Sequence, residues 1–318
     1  MAERDYPERK HAARTRKRAS PWPACAFRGL DPGRQSRMSF AGTGGARESI
    51  RFMDLELAGK RAVITGGNRG IGLAVARALV AEGCDVALVA RDKAVLDAAR
   101  ESLLAAAAGR TVLAVPCDTG DDASVAAMAA AVTDGLGGAD ILVNAAAKAN
   151  SGAVVGVDGF DAAEFSEHVN VKVLGYLRCI RAFVPAMRDA GWGRIINVSG
   201  LAARSSGAIT GTVRNVAVAA MTKNLADELG KHGINVTVVH PGVTVTEKTP
   251  ANLAERAERA GVTVPEIERR LGASVGIGRL VTAEEVANVV AFLASPKSVA
   301  VNGDAIAVGG GAVGPVYY

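Results

Sequence analysis

The 318-residue sequence is 49% apolar and 22% charged, enough to build a sizeable core, which excludes a chain disordered throughout. No uninterrupted apolar run approaches the roughly 18 residues that cross a bilayer, so no membrane partner is expected. The net charge of +5 divides unevenly: residues 1–52 hold 12 basic against 5 acidic side chains and the remainder 25 against 27, so the body is near neutral and nucleic acid is not expected as a partner.

Residues 1–52 carry Pro7, Pro21, Pro23 and Pro32 among scattered arginines, without sustained periodicity. Such a composition buries too little apolar surface to offset chain entropy and reads as a disordered basic extension. It lacks the apolar stretch of a secretory signal, and Glu3, Asp5 and Glu8 come too early for a transit peptide. An upstream start codon is the expectation, with Met38 or Met53 beginning the functional protein. Cys25, Cys84, Cys117 and Cys179 lie far apart with no C-x-x-C pair, which argues against a metal site or disulfide framework and suits a cytoplasmic protein.

From Leu55 onward, apolar runs rich in β-branched residues alternate with alanine-rich helical stretches. Strands are predicted at 61–65, 85–89, 111–115, 140–143, 194–198, 235–239 and 305–308. Helices are predicted at 72–82, 93–108, 123–135 and 212–230. This alternation predicts an α/β fold: a Rossmann-like, doubly wound parallel sheet with helices on both faces, three layers in all, over a single domain spanning 53–318.

The first strand runs into Thr65-Gly66-Gly67-Asn68-Arg69-Gly70-Ile71-Gly72 and then a helix. Glycines there permit a tight turn and close backbone approach to a pyrophosphate, which the free N–H groups of the helix start then hold. The spacing Thr-Gly-x-x-x-Gly-x-Gly resembles that of the short-chain dehydrogenase/reductase family over about residues 54–312. Further matches are Asn144-Ala145-Ala146-Ala147 after the fourth strand, Asn170 in a later helix, and Pro241-Gly242-Val243-Thr244-Val245-Thr246. The resemblance implies a nicotinamide dinucleotide held by Thr65, Gly66, Asn68, Arg69, Gly70, Ile71, Gly72, Asn144, Ala145, Ala146, Asn215, Pro241, Gly242 and Thr246. It also implies an asparagine at Asn170 that supports the active site. Asp118, after the third strand, reads either as an adenine contact or as a helix N-cap. At the end of the second strand, where an acid would bind ribose hydroxyls, stands Arg91; with Arg69 it offers two guanidinium forks to a 2′-phosphate and favours NADP(H) over NAD(H).

The family's chemistry uses a Tyr-x-x-x-Lys pair and a preceding serine. Counting back from Gly233 and Pro241 without gaps puts the tyrosine position on Gly211 and the lysine position on Asn215, with Arg214 beside it. The serine position falls on Gly200, one residue after Ser199. A positioned general acid contributes roughly 10²–10⁴ in rate, and glycine cannot donate a proton. The expectation is an oxidoreductase acting on a small carbonyl or alcohol through a non-standard site of Asn170, Ser199, Arg214 and Asn215. The alternatives are a silent NADP(H)-binding sensor or partner subunit, or a lyase or isomerase reusing the pocket. His168, Tyr176 and His240 read as packing groups near the cleft, and residues 246–280 as a substrate lid. Family resemblance implies a homodimer or homotetramer joined through helices that include 212–230.

Overall fold

The computed structural model describes residues 53–148 and 156–313. The basic extension expected at 1–52 lies outside the described residues. The central sheet has the order β3-β2-β1-β4-β5-β6-β9, every neighbouring pair parallel. Its strands are β1 (Arg61–Thr65), β2 (Asp85–Ala90), β3 (Val112–Pro116), β4 (Ile141–Asn144), β5 (Gly193–Val198), β6 (Ile234–Pro241) and β9 (Ala305–Val308). The inner strands are buried on both faces, which is why they read in the sequence as nearly continuous apolar runs.

The flanking helices are α1 (Gly70–Ala81), α2 (Lys93–Leu104), α3 (Asp122–Leu136), α5 (Gly175–Ala190), α6 (Ile209–Leu229) and α9 (Ala283–Ala294). Alternate residues of one strand serve the two layers. Ala62 and Ile64 of β1 face the core of α1, α2 and α9, whereas Val63 faces that of α3, α5 and the end of α6. Side-chain caps start several of these helices: Asp92 accepts from Val95 N, Asp121 accepts from Ser124 N, and Thr282 with Glu285 closes a capping box before α9.

One feature departs from the sequence expectation and one adds to it. The helix after β4 is split: α4 (Ala162–Val169) passes through a π-helical segment, Asn170–Leu174, before α5. In the stretch 246–280, α7 (Thr249–Ala260) and α8 (Val264–Ala273) pack on each other through Leu253, Ala257 and Ile267. Beside them β7 (Thr244–Val245) pairs with β8 (Val281–Thr282) in a two-stranded ribbon.

After β1 the chain builds β2 and β3 on one side and then crosses to β4 on the other. The loops leaving β1 and β4 therefore diverge, opening a crevice beyond the carboxyl ends of the strands, the place where such sheets bind ligands.

Candidate active site

The crevice is a cleft of about 650 Å³. Its floor is the glycine turn between β1 and α1. Gly66 has φ +69°, and a Cβ on it would stand 2.9 Å from the Ala145 carbonyl; on Gly72 a Cβ would stand 2.2 Å from the Gly66 oxygen. Only glycine fits at these two points, because the turn folds back against both the β4 loop and the start of the helix. Thr65 lies beneath the turn, its Oγ1 accepting from the N–H groups of Ala145 and Ala146 at 3.1 and 3.2 Å. The Gly70 N–H at the start of α1 donates to Glu247 Oε2 at 3.1 Å.

At one end, Arg69 and Arg91 line the cleft together with Asp118 and Thr119. The carboxylate of Asp92, adjacent to Arg91, caps α2. Asp118 does not cap α3, as one expectation had it. That role belongs to Asp121, while Asp118 Oδ1 accepts from Gly120 N at 2.9 Å.

At the other end, beyond β4 and β5, the wall is made by Ala145, Ala146, Ala147, Val198, Ser199, Lys172 and Arg214. Lys172 comes from the π segment and is 4% exposed; its Nζ donates to the Ser199 carbonyl at 3.1 Å. Burial, and secondarily the Arg214 charge, lower its pKa to about 7. Arg214, 6% exposed, donates through Nη1 to the Lys148 carbonyl and to His168 Nδ1, while its Nε has no partner. Burial, with Arg214 next in weight, holds His168 below its ordinary pKa, so it accepts from the guanidinium as a neutral ring and turns Nε2 toward Glu164. Ser199 Oγ donates to the Asn215 carbonyl at 3.1 Å. Tyr176 is fully buried and gives its hydroxyl to the Val198 carbonyl; burial raises its pKa far above the ordinary tyrosine range. It is the only tyrosine among the described residues.

Gly66, Asn68, Arg69, Ile71, Gly72, Arg91, Asp118, Ala145, Ala146, Ser199, Arg214 and Thr246 thus meet around one cleft. Gly70 and Thr246 border an adjoining hollow with Glu247. The other expected residues lie behind the wall. Asn144 is buried in β4 with its Nδ2 bonded to Asn197, and Asn215 is buried in α6. Pro241 closes β6, and the Gly242 N–H donates to Val308. Asn170 points away from the inner wall, its Nδ2 donating to the Gly120 carbonyl at 3.1 Å, because the π segment turns Asn170 and Lys172 to different neighbours. Lys172 is the residue that sequence reasoning missed. Its signal was a single lysine inside the apolar stretch Val171–Leu174.

Comparison with known proteins matches this frame along most of its length. A family model described as Enoyl-(Acyl carrier protein) reductase matches residues 66–313. The chain is 34% identical over 251 residues to the short-chain reductase protein NovJ of Streptomyces niveus, covering 79% of this chain and 92% of that protein. It belongs to the short-chain dehydrogenase/reductase family. A sorbitol dehydrogenase of Cereibacter sphaeroides is 34% identical over 247 residues, covering 77% of this chain and 93% of that one. Among solved structures, the L-sorbose reductase of Gluconobacter frateurii, complexed with NADPH and L-sorbose, superposes with a TM-score of 0.77 at 31% identity, over 83% of this chain and all of that one. Membership makes the protein an NAD(P)-dependent oxidoreductase with a small-molecule substrate. The glycine cradle at the start of α1 and the volume of the cleft fit a dinucleotide. No helix among the described residues is long and apolar enough to cross a membrane.

Proposed function

We propose that the protein is an NADP(H)-dependent reductase of small carbonyl compounds, acting reversibly on the corresponding alcohols, through a site without the family's Tyr-x-x-x-Lys pair. The observation that carries the cofactor preference is electrostatic. Arg69 and Arg91 border the cleft at one end, and the two carboxylates there, Asp92 and Asp118, are engaged with the backbone N–H groups of Val95 and Gly120. A ribose 2′-phosphate would therefore meet two guanidinium groups that no carboxylate pairs with. Gly66, Gly72 and the start of α1 would receive the pyrophosphate, and Thr246 would border it from the far side.

The nicotinamide supplies hydride chemistry when bound. The chain's own task is to orient the carbonyl and to exchange a proton with its oxygen. In the register counted from Gly233 and Pro241, the tyrosine position is Gly211 and the lysine position Asn215, both buried one turn apart on α6. Ser199 Oγ is engaged with the Asn215 carbonyl, which leaves Lys172 and Arg214 as the polar groups with hydrogens to offer at this end of the cleft. These two groups orient the substrate, and the carbonyl oxygen exchanges its proton with a water molecule held beside them.

The test is consumption of NADPH and of NADH with a panel of aldehydes, ketones and quinones against heat-treated protein. NADPH turnover exceeding NADH turnover at least tenfold is expected. Arg91→Asp should abolish that preference by weakening NADPH and sparing NADH. Tight NADPH binding with no consumption across the panel would instead make the protein a silent binder. We also infer a homodimer or homotetramer, supported by an apolar groove between α5 and α6.

A further inference from the structure

Lys172 and Arg214 reach the inner end of the cleft from opposite elements, the π segment and α6, and Lys172 lies in the field of Arg214. Both are more than nine-tenths buried. Two cations in that position call for an anion, yet among the described residues no carboxylate pairs with either. Lys172 finds only the Ser199 carbonyl; Arg214 finds the Lys148 carbonyl and a neutral histidine. The nearby acid, Glu164, faces the far side of that histidine. The stretch 149–155, which follows Lys148, contains no acidic residue. Asp92 and Asp118 are at the opposite end, engaged with backbone N–H groups.

The geometry of the guanidinium narrows the missing partner. Nη1 is used twice, and Nε is buried without a partner. The Nε–Nη2 edge is the one that pairs side-on with a planar carboxylate. Lys172 is held at the end of β5 and Arg214 by the loop after β4, one to two strand spacings of about 4.8 Å from β1, where a pyrophosphate would sit, so the pair stands to the side of the cofactor's phosphates. We propose that Lys172 and Arg214 form the binding site for a carboxylate carried by the substrate, so that the compounds reduced in this cleft are oxo acids and the products hydroxy acids. This rests on the reductase reading given above and adds the substrate class to it.

The groups facing Lys172 are Arg214 from α6, the Ser199 carbonyl from the end of β5, His240 from β6 and Tyr176 one turn along its own helix. His240 accepts from Gly200 N, and burial lowers its pKa to about 4. Neither it nor Tyr176 changes charge between pH 6 and 8. A carboxylate arriving beside Lys172 therefore completes the protonation of that amine from solvent, a fraction of a proton near neutral pH.

The experiment is calorimetric titration of the full chain with glyoxylate, pyruvate and acetoacetate, each against its methyl ester, with and without saturating NADP⁺. Tris and triethanolamine are used as buffers because they are cationic and differ in ionisation enthalpy. At least one oxo acid is expected to bind tenfold or more tighter than its ester and to take up a fraction of a proton at pH 7.5. Arg214→Met and Lys172→Met should each weaken that acid at least tenfold, the latter also removing proton uptake, while Lys172→Arg stays within about threefold and NADPH affinity is kept. Esters binding as well as acids, or no acid binding while NADPH does, would overturn this inference and leave the reductase reading standing. If the Met variants weaken NADPH or 2′,5′-ADP and not the acids, the pair serves the cofactor's phosphates and the inference again fails. Absence of NADPH binding would overturn the reductase reading itself.

Discussion

Lys172 carries an ionisation that opposes folding. Burial, and then Arg214, bring its pKa from 10.5 to about 7. Below pH 7 the folded and unfolded chains both hold the proton, and the native state bears the full cost of a buried ammonium. Between pH 7 and 10.5 the unfolded chain keeps a proton that the native state has released, so stability rises with pH by up to about 1.4 kcal/mol per unit. Lys172→Met should accordingly be more stable than the wild type at pH 7, and the gap should close toward pH 10. Urea unfolding of both proteins at pH 7, 8 and 9 measures it; equal slopes would contradict the burial of this amine. The residues of the glycine turn were legible beforehand, because their spacing is dictated by how backbone must approach a phosphate. Arg91 was legible as a cleft residue because it stands one residue past the end of a strand. Asp118 was ambiguous, since two acids, Asp118 and Asp121, precede α3 and only the fold says which one caps it. Asn170 was legible only through the family resemblance and Lys172 not at all, because nothing in the sequence marks the π segment that sets the direction of both side chains.

At the scale of elements, strands were readable from their apolar, β-branched runs and helices from the alanine-rich stretches between them. The predicted strand at 85–89 is Asp85–Ala90, and the one at 305–308 is reproduced. The segment Asn170–Leu174 was not readable, because a single widened turn leaves the apolar spacing on either side nearly unchanged. The ribbon of Thr244–Val245 with Val281–Thr282 escaped because two residues are too few to display a period. The strand–turn–helix unit from β1 to α1 makes two predictions. Gly72→Ala drives a methyl into the Gly66 carbonyl and should cost several kcal/mol, read as a lower midpoint in thermal unfolding, with NADPH binding lost along with the turn geometry. Glu247 presents its carboxylate to the Gly70 N–H, at the same helix start that would receive a phosphate. Removing that charge in Glu247→Gln should tighten NADPH binding about two- to fivefold, the size of one charge at a helix N-terminus. Weaker binding of NADPH by that variant would show instead that Glu247 supports the bound nucleotide.

For the molecule as a whole, the sheet buries its own surfaces, yet the outer side of α5 and α6 remains apolar. Leu174, Leu177, Val184 and Leu225 line a groove of about 580 Å³ between these helices, and Val213 and Val216 are exposed further along α6. Charged pairs rim it, Arg178 and Arg181 with Asp122 on one side and Arg188 with Glu228 on the other. An apolar floor inside a polar rim is the anatomy of an interface, and a patch of both kinds on one chain suits a two-fold partner of the same kind. The wild type should therefore sediment at twice or four times the mass of one chain at micromolar concentration. Leu177→Glu combined with Val216→Glu should reduce it to a monomer with unchanged circular dichroism, because both side chains point outward and neither belongs to the core. The same variant should lose affinity for substrate more than for NADPH. Arg214 sits between Val213 and Val216 on α6, so a partner bracing the outer face of that helix also holds its inner face against the cleft, whereas the glycine turn follows β1, two strands away from β5. A wild type that sediments as a monomer, or a double variant that keeps its mass, would remove this role from the α5–α6 face.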